Sequence, residues 1–234
     1  MLCCRDAGST DGGHTSGSAA PDGGDGADVR DILLACRGRH IHFVGRRPGK
    51  AIDPLLAGRI LVIGDDADLA AVALRLLRRD LLGAVEVAYA APAETAVTAI
   101  WSLPTGAEAV RAARRAEVDV VPLVRNDSGG VLVGAAQLSP VTGTVYVDSE
   151  RVLSGSAQVV QVEPDLDKGL AVTVVRRRIL GFGRRPVTTL GRAVEFGLTS
   201  QTAIISDGVQ HPRAVNRWVF YKHTEPLRLV RGVY

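Results

Sequence analysis

Residues 60–77 read ILVIGDDADLAAVALRLL, and the fold of the whole chain turns on this stretch. The apolar run 60–63 reads as a buried strand. Gly64 to Asp68 then crowd three carboxylates into a turn. From Leu69 apolar residues recur at three- and four-residue spacing, the period of an amphipathic helix. A strand entering a glycine-containing turn at a helix N-terminus can hold phosphate, because free N–H groups and the helix dipole both favour negative charge there. The turn admits two readings. In one, Asp66 or Asp68 caps the helix and complements its dipole. In the other, Asp65, Asp66 and Asp68 gather around one Mg²⁺.

Beyond this stretch the helix runs over 69–82 with Arg75, Arg78 and Arg79 on its outer face, and Gly83 ends it. A strand is expected at 85–89, a helix at 93–103 stopping before Pro104, a further helix at 107–116 capped by Thr105, and a strand at 118–124. Strands alternating with helices predict a mostly parallel, helix-covered sheet up to about residue 125. The character then changes. Short β-rich runs at 131–135, 144–148, 157–163, 170–176, 203–206 and 227–230 are separated by turns such as NDSGG (126–130) and Asp207-Gly208. That spacing describes an antiparallel sandwich or barrel. The reading is a tail at 1–28, an α/β domain at 29–126 and a β domain at 127–234.

Residues 1–28 are rich in Gly, Ser and Asp and offer almost nothing to bury, so they are expected to be disordered. GGDG at 23–26 has no strand before it and no helical pattern after it, and reads as coincidence. HIHFV (40–44) suits a short strand with His40 and His42 on one face, without a third metal ligand nearby in sequence. GRRPGK (45–50) is one residue short of a P-loop, and Ala51 replaces its Ser or Thr.

Composition narrows the classes. The formal charge of +3 comes almost wholly from Arg, with no basic block interleaved with aromatics, so a nucleic-acid partner is not expected. Cys3, Cys4 and Cys36 form neither a zinc nor a CxxC spacing and fit a reducing cytoplasm. No 18-residue apolar run predicts a membrane span. There is no GxSxG elbow, HExxH or CxxC pair. RRRILGFGRR, carrying Arg176, Arg177, Arg178, Arg184 and Arg185, is the most basic stretch and offers a peripheral contact with phosphate head groups; a solvated hairpin end is the plainer account. His223 and Glu225, two apart on one strand face, sit in a polar-tipped cluster read as closing the β domain.

This two-part plan resembles the diacylglycerol kinase, sphingosine kinase and NAD kinase superfamily. The resemblance rests on three places. LVI followed by Gly64, Asp65, Asp66, Ala67, Asp68 and LAAVALRL is similar to the family's strand, GGDGT turn and helix. AEAVRAARRAEVDVVPL (107–123) is similar to the helix and strand leading into its β domain, and Asp207-Gly208 to its late DGE. The implied fold is a partial Rossmann-like α/β domain followed by an all-β antiparallel sandwich. The implied activity is ATP-dependent phosphorylation of a lipid or small-molecule alcohol.

Carried over position by position, Gly64 keeps the first glycine and Asp66 the acid, with Asp207 as its helper from the β domain. Asp65, Ala67 and Asp68 stand where the family has Gly, Gly and Thr. ATP would meet Gly64, Asp65, Ala67, Asp68 and Thr95, with Mg²⁺ on Asp66 and Asp68. Ala67 disfavours the positive φ that a phosphate cradle often needs, and Asp65 and Asp68 repel a polyanion unless Mg²⁺ intervenes. The stretch 90–98 offers only Glu94, Thr95 and Thr98 in place of the family's nucleotide-facing segment, and Val209 replaces the Glu of DGE. Two expectations stand side by side: a kinase, or a non-catalytic scaffold of the same fold. Edge strands of the β half offer a surface for self-association.

Overall fold

The computed structural model describes residues 1–4, 25–176 and 185–231. Residues up to Asp119, together with the stretch from Leu229, form one compact unit, and Val120–Arg228 form the other.

In the first unit, strands β1 (Leu2–Cys4), β2 (His42–Val44), β3 (Arg59–Ile63) and β4 (Glu86–Ala90) run parallel. Helices α1 (Asp25–Ala35), α2 (Asp66–Arg78), α3 (Ala96–Trp101) and α4 (Gly106–Arg115) cover them, and β5 (Val118–Val121) leads out. Strand β3 is buried from Ile60 to Ile63, as a strand covered on both faces must be. Leu61 and Ile63 stand opposite Ala88 and Ala90 and pack with Ile32 of α1, Cys36 just after it, and Val110 and Ala113 of α4. The alternate residues face the other way, towards the layer that holds α2.

Three expectations need correction. Leu2–Cys4, read as part of a disordered tail, is a fully buried strand between β2 and β3. Three apolar residues are too few to show a period, so composition hid them. The chain is helical again from Asp25, inside the stretch read as tail; residues 5–24 lie outside the described residues. Arg75 does not point outward. Its guanidinium is buried and meets Asp53 of the short 3₁₀ helix Lys50–Leu55 twice, at 2.8 and 2.6 Å. That bidentate partner holds the Asp53 carboxyl below its ordinary range.

The second unit is antiparallel. Its strands are β6 (Val124–Asn126), β7 (Val131–Leu132), β8 (Ala136–Ser139), β9 (Val141–Val147), β10 (Glu150–Ala157), β11 (Val159–Asp165), β12 (Gly169–Val175), β13 (Val187–Gly191), β14 (Ala193–Ser206), β15 (Val209–Gln210) and β16 (Val215–Lys222). The main path runs β13-β12-β11-β8-β14-β16-β6-β7. The fourteen-residue β14 joins two halves of this sheet. Val194–Leu198 pairs with β9 and Ala203–Ser206 with β8, while its register against β16 breaks between Gly197 and Thr202. Alternating residues such as Val145, Val172, Phe196 and Phe220 fill one core.

The final strand, β17 (Leu227–Val230), belongs elsewhere than its β-rich surroundings suggest. It pairs parallel with β4, Leu229 opposite Val87, and lies between β4 and β5 in the first sheet. No helix among the described residues is long and apolar enough to cross a membrane.

Candidate functional site

The turn after β3 is built as a reciprocal cap. Asp65, in extended conformation (φ −96°), is the N-cap of α2; its Oδ1 accepts from the Asp68 N–H at 2.9 Å. Asp68 Oδ2 accepts from the Asp65 N–H at 3.1 Å. This is a capping box with an aspartate in the third helical position, so Asp65, and neither Asp66 nor Asp68, occupies the N-cap. Gly64 follows from the same arrangement: a Cβ there would collide with the Asp68 carboxylate. The glycine makes room for a side chain of the protein itself.

Arg46 and Arg47, in the loop after β2, complete the turn. The Arg46 guanidinium contacts Asp65 Oδ2 and stands 3.1 Å from Asp68 Oδ2. Arg47 takes a left-handed φ of 47° and donates its N–H to Asp68 Oδ1 at 2.6 Å. Asp68 is wholly buried, and buried carboxylates need such donors.

Asp66 is engaged on its other side. Tyr89 of β4 donates its hydroxyl to Asp66 Oδ1 at 2.9 Å, and the Val97 N–H of α3 donates to Oδ2 at 3.2 Å. Burial first, and then the Asp66 charge, push the Tyr89 phenol far above its ordinary range. Thr95 caps α3, accepting from the Thr98 N–H at 3.2 Å while Thr98 Oγ1 accepts from the Thr95 N–H at 2.7 Å. Ala67 is packed into the first turn of α2, 7% exposed. Gly64, Asp65, Asp66, Ala67, Asp68 and Thr95 therefore lie in one unit, and the four polar members are tied to neighbours by hydrogen bonds. Among the described residues no group of three His, Cys, Asp or Glu is arranged to hold a metal ion. Of the two acids that the resemblance gives to Mg²⁺, Asp68 serves the capping box and the Arg46 ion pair, and Asp66 accepts from Tyr89 and Val97.

Asp207 is placed within the second unit. It turns the β14–β15 hairpin with φ 48°, followed by Gly208 at 78°, and its carboxylate accepts from the N–H groups of Val133 (3.2 Å) and Gly134 (2.8 Å). It clamps the bend before β8. Arg176 donates to the Val152 carbonyl and Arg185 is exposed, while Arg177, Arg178 and Arg184 lie outside the described residues. Trp218 meets His211 and Phe220 edge-on at 5.0 and 6.0 Å, a packed end of the β unit.

Sequence reading missed Arg46, Arg47 and Tyr89. The signal for the first two was present: a pair of arginines beside a Pro-Gly turn, in a chain with three acids crowded at 65–68. Only the pairing of β1 with both β2 and β3 brings the two loops together.

Cys4, at the end of β1, senses this site. Burial, helped by the Asp68 charge, pushes its thiol up to about 12 from an ordinary 9.0, and burial also raises Cys36. A raised folded value means stability that is present below about pH 9 and lost as pH climbs towards 12. The urea midpoint is expected to fall steadily between pH 9 and 11. Iodoacetamide at pH 8.5 is expected to label Cys4 at least a hundredfold more slowly in the folded protein than in urea. Equal rates would show an accessible thiolate.

No protein-family model matches the chain, and no curated protein matches it in sequence. Solved structures do match in fold. A diacylglycerol kinase from Bacillus anthracis is 13% identical, with a TM-score of 0.63 over 88% of this chain and 90% of that one. An NAD kinase from Archaeoglobus fulgidus, solved with ATP, is 13% identical, with a TM-score of 0.56 over 88% and 90%. A yeast NADH kinase, solved with NADH, gives 13% and 0.52 over 83% and 66%. A parallel, helix-covered sheet joined to a large antiparallel one, matched along nearly the whole chain, gives this protein the two-part fold of the diacylglycerol kinases and NAD kinases.

Proposed function

We propose that this chain is a non-catalytic relative of the diacylglycerol kinases and NAD kinases, a binding or regulatory module that does not transfer phosphate. One observation carries the reading: Arg46 is clamped across Asp65 and Asp68, while Asp66 is held by Tyr89 and Val97. In the turn that the resemblance assigns to ATP, the acids have become structural, and the space beside Gly64 is filled by Asp68. A second reading is favoured by the extent of the fold likeness, 88% of this chain and 90% of the diacylglycerol kinase. In it, the protein is an ATP-dependent kinase for a lipid or small-molecule alcohol, with Asp66 and Asp207 assisting and Mg²⁺ on Asp66 and Asp68.

Calorimetry with Mg·ATP separates the two. The expected result is no heat at millimolar nucleotide, and no labelled product from [γ-³²P]ATP with diacylglycerol or NAD. Micromolar binding that disappears in Asp66→Asn, together with labelled product, would overturn the proposal and establish a working kinase site.

A further inference from the structure

At the other end of the first sheet lies a cavity of about 330 Å³, within the size range of small-molecule sites. Its lining follows β3 from Arg59 to Leu61, towards the start of the strand that the turn ends. Three arginines from three separate places line it: Arg39 in the α1–β2 connection, Arg59 at the start of β3 and Arg114 in the last turn of α4. Its apolar wall includes Leu61, Ala88 and Val110. An apolar wall beside several guanidinium groups is unlike the acid-rich turn at the far end.

Two of the arginines are held in place by the fold. Arg59 donates Nε to Glu86 at 2.7 Å and Nη1 to the carbonyls of Ala113 and Ala116 at 3.2 and 3.1 Å. Arg114 donates Nη2 to the Ala35 carbonyl at 2.9 Å. Each therefore caps a helix C-terminus and is pre-organised, so a ligand has little of their rotamer freedom to freeze. Three guanidinium groups and the Met1 ammonium, which also lines the cavity and donates to the His40 carbonyl at 3.1 Å, stand against one carboxylate and two helix ends of about half a charge each, so the balance is positive. That balance suits an anionic headgroup.

We infer that this cavity is a binding site for a small amphipathic carboxylate, its alkyl body against Leu61, Ala88 and Val110 and its headgroup among Arg39, Arg59 and Arg114. The inference is independent of whether the turn at 64–68 binds nucleotide.

The test is calorimetry of the full chain with sodium octanoate, octan-1-ol and octylamine at pH 7.5, repeated on Arg39→Glu. Arg39 is an exposed loop residue, so its replacement is expected to leave the melting temperature unchanged. Octanoate is expected to bind with a submillimolar Kd, at least tenfold more tightly than the alcohol or the amine, and to lose at least tenfold in Arg39→Glu. The inference is overturned if octanoate gives no heat below 5 mM, if the neutral alcohol binds as well, or if Arg39→Glu binds octanoate unchanged.

Discussion

Asp68→Ala is expected to destabilise the first unit by about 2–4 kcal/mol. The substitution removes the acceptor for the Asp65 N–H, the Arg47 N–H and the Arg46 Nε at once. Loss of half a capping box costs about 1 kcal/mol, and half-buried donors left without their acceptor cost about 1 kcal/mol or more besides. The two tryptophans allow each unit to be followed alone, because Trp101 is buried in the first and Trp218 in the second. In a Trp218→Phe background, urea unfolding read from Trp101 should show a lower midpoint with an unchanged slope. Asp68→Asn, which keeps an acceptor but loses the charge, should fall between. A loss below 1 kcal/mol in Asp68→Ala would mean that Arg46 and Arg47 do not hold the turn.

Asp207→Ala is expected to cost the second unit about 3 kcal/mol. The carboxylate satisfies two buried N–H groups, of Val133 and Gly134, and charge-assisted bonds of this kind are stronger than neutral ones. Alanine is also a poor occupant of a φ of 48°, whereas Asn tolerates it. Asp207→Asn should therefore lose roughly half as much. The readout is Trp218 fluorescence in a Trp101→Phe background. If Ala and Asn behave alike, backbone conformation and lost charge are not separable there, and the clamp on the bend before β8 is not what the side chain provides.

Much of the first unit is legible in the sequence because its elements carry their own period. Strand β3 is an unbroken apolar run, α2 repeats at helical spacing, and Pro104 and Thr105 mark the break before α4. Leu2–Cys4 is not legible, since three residues show no period and a Gly-rich stretch follows. Arg75 reads as exposed because helical periodicity places it on the polar side; nothing local reveals that Asp53 waits 22 positions earlier. Strand β17 has the right boundaries but the wrong surroundings, because pairing partners are a property of topology.

The site is legible as a location and not as a set of roles. The sequence marks 64–68 as a turn between strand and helix, with an acid in every position where a cap or a ligand would stand. Which acid caps, and what the others do, depends on Arg46, Tyr89 and Val97, which reach the turn from three other elements. The same residue types would serve an ion if those partners were absent.

The position of β17 has a consequence for synthesis. Arg231, just beyond that strand, reaches Asp119 at 3.1 Å across 112 positions of chain. At ribosomal rates of about 5–20 residues per second, the first sheet waits on the order of ten seconds for an interior strand, its β4 edge open meanwhile. The second unit, contiguous from Val120 to Arg228, is translated in full within that delay. The half that emerges first is thus the half that closes last, and a ribosome stalled between the two would display an unpaired parallel edge to whatever binds nascent chains.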